Sequence, residues 1–131
     1  MNNKNLIKAK EWFKIADNDF GFAKSSFEDK DEYYAQICFL FHQAIEKYLK
    51  GYLIAKGKIP QKTHDLAFLI EECKKINLKF KEFELECKEI NKYYIPSRYP
   101  VHWIEVKKEN TKKAFEAAEN ITKFIKENIL Y

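Results

Sequence analysis

Three features of this 131-residue sequence predict an all-α fold. It has only 3 glycines and 3 prolines, it is rich in Lys, Glu, Leu, Ile, Ala and Phe, and its apolar residues recur in steps of three and four. So few turn formers disfavour a β-sandwich, which needs many tight connections. A chain of this length forms one domain with one core, burying roughly two thirds of its unfolded surface. The expectation is a single domain over residues 1–131. Its architecture is read as an up-and-down antiparallel bundle of about five helices.

The first helix is read from about Asn5 to Phe27, because Ala9, Trp12, Phe13, Ala16, Phe20, Ala23 and Phe27 form one helical stripe. Asp17 lies at the edge of that stripe, where a carboxylate either finds a partner or turns to solvent. The second and longest helix runs from about Tyr33 to Lys56. Its stripe of Tyr34, Ile37, Cys38, Phe41, Ala44, Ile45, Tyr48, Leu49 and Tyr52 is widened by Phe39, Leu40 and Leu53, which makes it central. His42 and Gln43 interrupt the apolar surface. His42 is open to two readings, a hydrogen-bonded core residue or a functional base. Glu46 and Lys50, in favourable i,i+4 order, read as ordinary helix surface.

Gly57 ends the second helix, and Thr63 is expected to cap a third from about His64 to Ile76, with Asp65 in its first turn. His64 reads as a capping-region residue. Phe80, Phe83, Cys87, Ile90 and Tyr94 space out a fourth helix that Pro96 stops. Ala114, Ala117, Ala118, Ile121, Phe124 and Ile125 mark a fifth, from about Glu105 to Asn128, whose small residues allow close packing.

Composition narrows the function classes. Cys38, Cys73 and Cys87 are odd in number and unpaired in spacing, so they read as buried, reduced thiols of a cytoplasmic protein. No apolar signal core follows the first residues and no run is long enough for a membrane span. A net charge of +4, mixed in sign along the chain, permits a polyanionic partner without demanding one. No P-loop, dinucleotide fingerprint or metal-ligand cluster stands out, so ATP hydrolysis and metal catalysis are disfavoured and neither a metal nor a cofactor is called for.

The most unusual stretch is Ile90 to Trp103. Pro96 and Pro100 fix two φ angles and remove two donors, which implies a defined irregular path. Arg98 sits there among Tyr93, Tyr94, Tyr99 and Trp103, with His102 close behind. A guanidinium binds phosphate through paired hydrogen bonds and ring faces stack on bases, so Arg98, Tyr94 and Tyr99 are candidate nucleotide-binding residues. Asp17 is the expected partner of Arg98 when no ligand is bound. The alternative is structural, with Arg98 in an ion pair and the tyrosines filling a gap between helices.

Taken together, Cys38 to Lys50, the Thr63-His64-Asp65-Leu66 opening of the third helix, and Tyr94-Ile95-Pro96-Ser97-Arg98-Tyr99-Pro100 resemble the HEPN family (higher eukaryotes and prokaryotes nucleotide-binding). The resemblance covers nearly the whole chain and implies a helical bundle, commonly dimeric. Many members are metal-independent endoribonucleases that use an arginine and a histidine across a short spacer. Here Tyr99, Pro100 and Val101 separate Arg98 from His102, one residue short of that pattern. Another branch works beside a small nucleotidyltransferase in toxin–antitoxin-like pairs, and the Arg-Tyr-Pro sequence is more typical of it. The resemblance therefore implies a nucleotide-binding accessory protein with a small nucleotidyltransferase partner. The alternative it offers is an endoribonuclease toxin using Arg98 and His102. A homodimer is expected through Phe22, Tyr33 and Phe39, which the main stripes leave uncovered.

Overall fold

The computed structural model describes residues 3–94 and 105–129. Among these residues there are five α-helices, one 3-10 segment and no strand. The helices are α1 (Asn3–Asp29), α2 (Tyr34–Ala55), α3 (Leu66–Ile76), α4 (Glu84–Asn91) and α5 (Lys108–Asn128), with the 3-10 segment at Leu78–Phe83.

Ring contacts fix the directions. Phe13 meets Tyr48 and Phe20 meets Phe41, so α1 and α2 are antiparallel. Cys38 bonds Thr111 near one end of α2 while Lys126 lies over Tyr48 further along, so α5 runs parallel to α2. Phe80 packs on Tyr52 and Tyr94 on Phe39, which sends the chain through α4 back against α2. The segments α1, α2, α4 and α5 thus alternate in direction, as in an up-and-down bundle, while α3 runs alongside α2 in the same sense.

The apolar spacing explains the core. Ile37, Cys38, Phe41, Ala44, Ile45, Tyr48, Leu49 and Tyr52 are all buried, and α2 is enclosed on most sides. The helices α1 and α2 meet closely at Gly51, where the Phe13 ring occupies the space a Cβ would need, at 2.6 Å from its nearest carbon. Any larger residue at Gly51 would have to move that ring. The reversal between these helices passes through Tyr33, whose φ of 65° is left-handed and strained for a residue with a Cβ.

Three local expectations are corrected. The fourth helix is not continuous from Phe80: a 3-10 segment comes first, with the Asn77 side chain accepting from the Lys79 N–H at its start. Asp65, not Thr63, caps α3, accepting from the Ala67 and Phe68 N–H groups at 3.0 and 3.4 Å, while Thr63 Oγ1 accepts from the Asp65 N–H. Glu46 and Lys50 are not helix surface but 4% and 7% exposed. Phe22 and Tyr33 are exposed, as expected, whereas Phe39 is half-buried against Tyr94.

No helix among the described residues is long and apolar enough to cross a membrane. Burial pushes the Cys38 thiol up to about 11, against an opposing hydrogen bond to Thr111, and the Cys87 thiol up to about 12.

Candidate nucleotide site

On α2, residues Phe39, His42, Gln43, Glu46 and Lys50 fall within about 100° of one another around the helix axis. This sector faces the start of α3 and the turn after α4. Tyr94, at the end of that turn, inserts its ring here. Its centroid lies 4.6 Å from that of His64 in near-parallel stacking at 18°, 5.4 Å from His42 and 5.8 Å from Phe39.

His42 lies beneath Tyr94 at 0% exposure, and neither ring nitrogen has a hydrogen-bond partner. Burial lowers its pKa, with the Glu46 carboxylate opposing. The Asn91 and Gln43 side chains and the His64 backbone are close enough to favour the charged ring as well, yet none meets it in hydrogen-bonding geometry. Gln43 Oε1 is a further buried atom without a partner. Native cores pair nearly all such groups, so two side chains with unpaired atoms side by side mark a place where packing has not been optimised for stability alone.

Next to them, Glu46 divides its carboxylate between Lys50 Nζ and His64 Nδ1, each at 3.0 Å. Trp12 of α1 covers the ammonium from the other side, with Nζ 5.9 Å from its ring centroid. The backbone around His64 is held by a second cluster. Asn91 Oδ1 accepts from the Leu66 N–H at 2.9 Å, and Asn91 Nδ2 donates to the Asp65 carboxylate at 2.7 Å. The start of α3 and the end of α4 are thereby joined directly below Tyr94.

Of the candidates named from sequence, His42 and Tyr94 come together. Asp17 does not join them: it lies on the α5-facing side of α2, where its carboxylate accepts from the Tyr48 hydroxyl and from Lys126. Burial and then the Asp17 contact push the Tyr48 hydroxyl well above the usual phenol range. Arg98, Tyr99 and His102, the two prolines and the expected Arg98–Asp17 pair lie outside the described residues. Among the described residues no set of three or more His, Cys, Asp or Glu is placed to hold a metal ion.

A HEPN domain profile matches residues 9–129. The chain belongs to the HEPN family. Its fold is similar to that of TT1696 from Thermus thermophilus, with a TM-score of 0.75 and 27% identity, covering 92% of this chain and 97% of that one. It is likewise similar to the crystal structure of ST0689, described as an archaeal HEPN homologue, with a TM-score of 0.72, 25% identity and the same coverages. No curated protein matches the chain.

The sequence reading of this HEPN chain missed Glu46 and His64 as members of one site. Their spacing from Lys50 and Asp65 fits a surface pair and a helix cap equally well. Only the arrival of Trp12 and Tyr94 from distant positions separates these possibilities.

Proposed function

We propose that this HEPN protein is a nucleotide-binding accessory protein whose ligand is held by Tyr94 and the residues that follow it, Arg98 and Tyr99. The observation that carries this reading is the buried His42 with both ring nitrogens unpaired beneath the Tyr94 ring. A core built only for stability would place an aliphatic residue there. Membership of the family adds support, as does the sequence position of Arg98, four residues beyond Tyr94. In this reading the rings of Tyr94 and Tyr99 stack on the base and the guanidinium meets phosphate through paired hydrogen bonds.

Calorimetric titration of ATP, AMP and a short RNA into wild type and Arg98→Lys tests it. Lysine keeps the charge and loses the planar fork, so binding should weaken by about 1.5–3 kcal/mol. Equal affinity of the two proteins for a ligand that does bind would make Arg98 structural. Asp17→Asn in the same titrations asks whether Asp17 competes for that guanidinium, in which case the anionic ligand binds more tightly.

The partner in this reading is a small nucleotidyltransferase encoded beside the protein, in a toxin–antitoxin-like pair, and co-purification of the two is the direct check. The HEPN subunit would act as a homodimer. Phe22 and Tyr33, 66% and 62% exposed, support an apolar contact surface, and a monomer by light scattering at micromolar concentration would exclude it. Toxicity and RNA loss on expression that depend on His102 would instead make the protein an endoribonuclease.

A further inference from the structure

A surface histidine ordinarily samples several rotamers and two neutral tautomers. His64 samples neither freely. Its side chain is 53% exposed, yet its Nδ1 is held at 3.0 Å by Glu46 Oε1 and its ring is stacked on Tyr94. Its backbone is fixed by the neighbouring turn and cap of Thr63 and Asp65, with Asn91 bridging to α4. A carboxylate can only accept, so Nδ1 carries the hydrogen and the neutral ring is the Nδ1–H tautomer. Nε2 then presents a lone pair, and among the described residues none donates to it.

Holding the ring this way is costly. Glu46 and Lys50 are nearly dehydrated, and the attraction within a buried pair does not by itself offset that loss. By contrast, the Lys–Glu pairs at i,i+3 Lys75–Glu72 and Lys92–Glu89 stand at the surface. What the buried pair adds is a fixed acceptor at the rim of the Tyr94 corner.

We propose that Nε2 of His64 accepts a hydrogen bond from a ribose hydroxyl of the bound nucleotide, so that Glu46 and His64 make the site select ribose over deoxyribose. This rests on the nucleotide-binding reading. A phosphate oxygen is an acceptor and cannot pair with the Nε2 lone pair of the neutral ring. A ring face needs no hydrogen. The donors of a nucleotide are its sugar hydroxyls and, depending on the base, an exocyclic amine or a ring N–H, and only the hydroxyls are common to all ribonucleotides.

The probes are AMP, its 2′-deoxy and 3′-deoxy analogues, and IMP, which lacks the amine, titrated calorimetrically at pH 7.5. Wild type should bind AMP about tenfold more tightly than one of the deoxy analogues, the size of one net hydrogen bond, and should treat AMP and IMP alike. His64→Ala, a change at a half-exposed side chain, should bind AMP and both analogues equally. Glu46→Gln, which leaves the imidazole but frees its tautomer, should lose most of the preference. Nitrogen-15 shifts of the free wild-type protein should show the Nδ1–H tautomer at His64.

An Nε2–H tautomer overturns the proposal whatever binds. So does a ribose preference that survives His64→Ala, a lack of any ribose preference in wild type, or discrimination of AMP from IMP in its place. If none of the probes binds wild type, the nucleotide-binding reading falls and this one with it. Nucleotide binding without sugar selection overturns only the present proposal.

Discussion

Replacing His42 by leucine should make the protein more stable and the proposed nucleotide site worse. In wild type the imidazole is fully buried with two unpaired nitrogens, and each unsatisfied buried polar group costs about 1–3 kcal/mol. Leucine fills a similar volume and carries no polar atom. Part of the gain is lost to imperfect packing beside Tyr94 and Phe39, leaving a net stabilisation of about 2 kcal/mol, or roughly 6 °C in Tm for a domain of this size. The pH profile supplies an independent check. Because burial lowers the His42 pKa, the unfolded chain takes up a proton before the folded one as pH falls below about 6.5. As far as His42 is concerned, the fold therefore keeps its full stability above that pH and loses stability progressively on acidification. His42→Leu should show a flatter decline from pH 7 to pH 5. The assay is thermal and urea unfolding across that range. A lower Tm for His42→Leu with an unchanged acid slope would show that the ring is satisfied in solution, which refutes the premise on which the site assignment rests.

Other outcomes follow from the packing. Gly51→Ala gains about 1 kcal/mol of helix propensity but drives a Cβ into the Phe13 ring, so a net loss of about 1–2 kcal/mol is expected, with Phe13→Leu restoring most of it in a double-mutant cycle. Asp65→Ala removes the α3 cap and the Asn91 contact and should cost about 1–2 kcal/mol by urea denaturation. Cys38, held neutral by burial, should react with a thiol reagent at pH 8 only as fast as the protein opens; rapid labelling of the native state would contradict its placement.

The helices of the core were legible because their apolar spacing and their burial have the same cause. Every residue of the α2 stripe read from sequence, but for Tyr34, is buried in the bundle. The fourth helix was less legible. Phe80 and Phe83 stand three apart, a spacing that a 3-10 turn and an α-helix satisfy alike, and the choice falls to the Asn77 side chain that starts the tighter turn. Choosing Thr63 over Asp65 as the cap failed for a related reason: both residue types cap helices well, and it is Asn91, 26 residues further on, that holds Asp65 in position. In the candidate site, Tyr94 and His42 were visible as an aromatic beside a proline-rich stretch and a polar break in an apolar stripe. Glu46 and His64 were not, because what makes them a site is their contact with each other across 18 residues and the cover provided by Trp12 and Tyr94.

The Asn91 bridge has a mechanical consequence. One amide side chain is bonded to the first turn of α3 and to its cap, three residues before Tyr94 and within one residue of His64 along the chain. The two stacked rings are therefore carried by one braced unit, although α3, the 3-10 segment and α4 all lie between them in the chain. A ligand that pulls on the turn after α4 cannot part these rings without also breaking the anchorage of α3. Strain applied at one side of the stack is delivered to the other as a shared displacement, and the amide hydrogen of Leu66 becomes a natural reporter of it: slow to exchange while the bridge holds, fast once it yields.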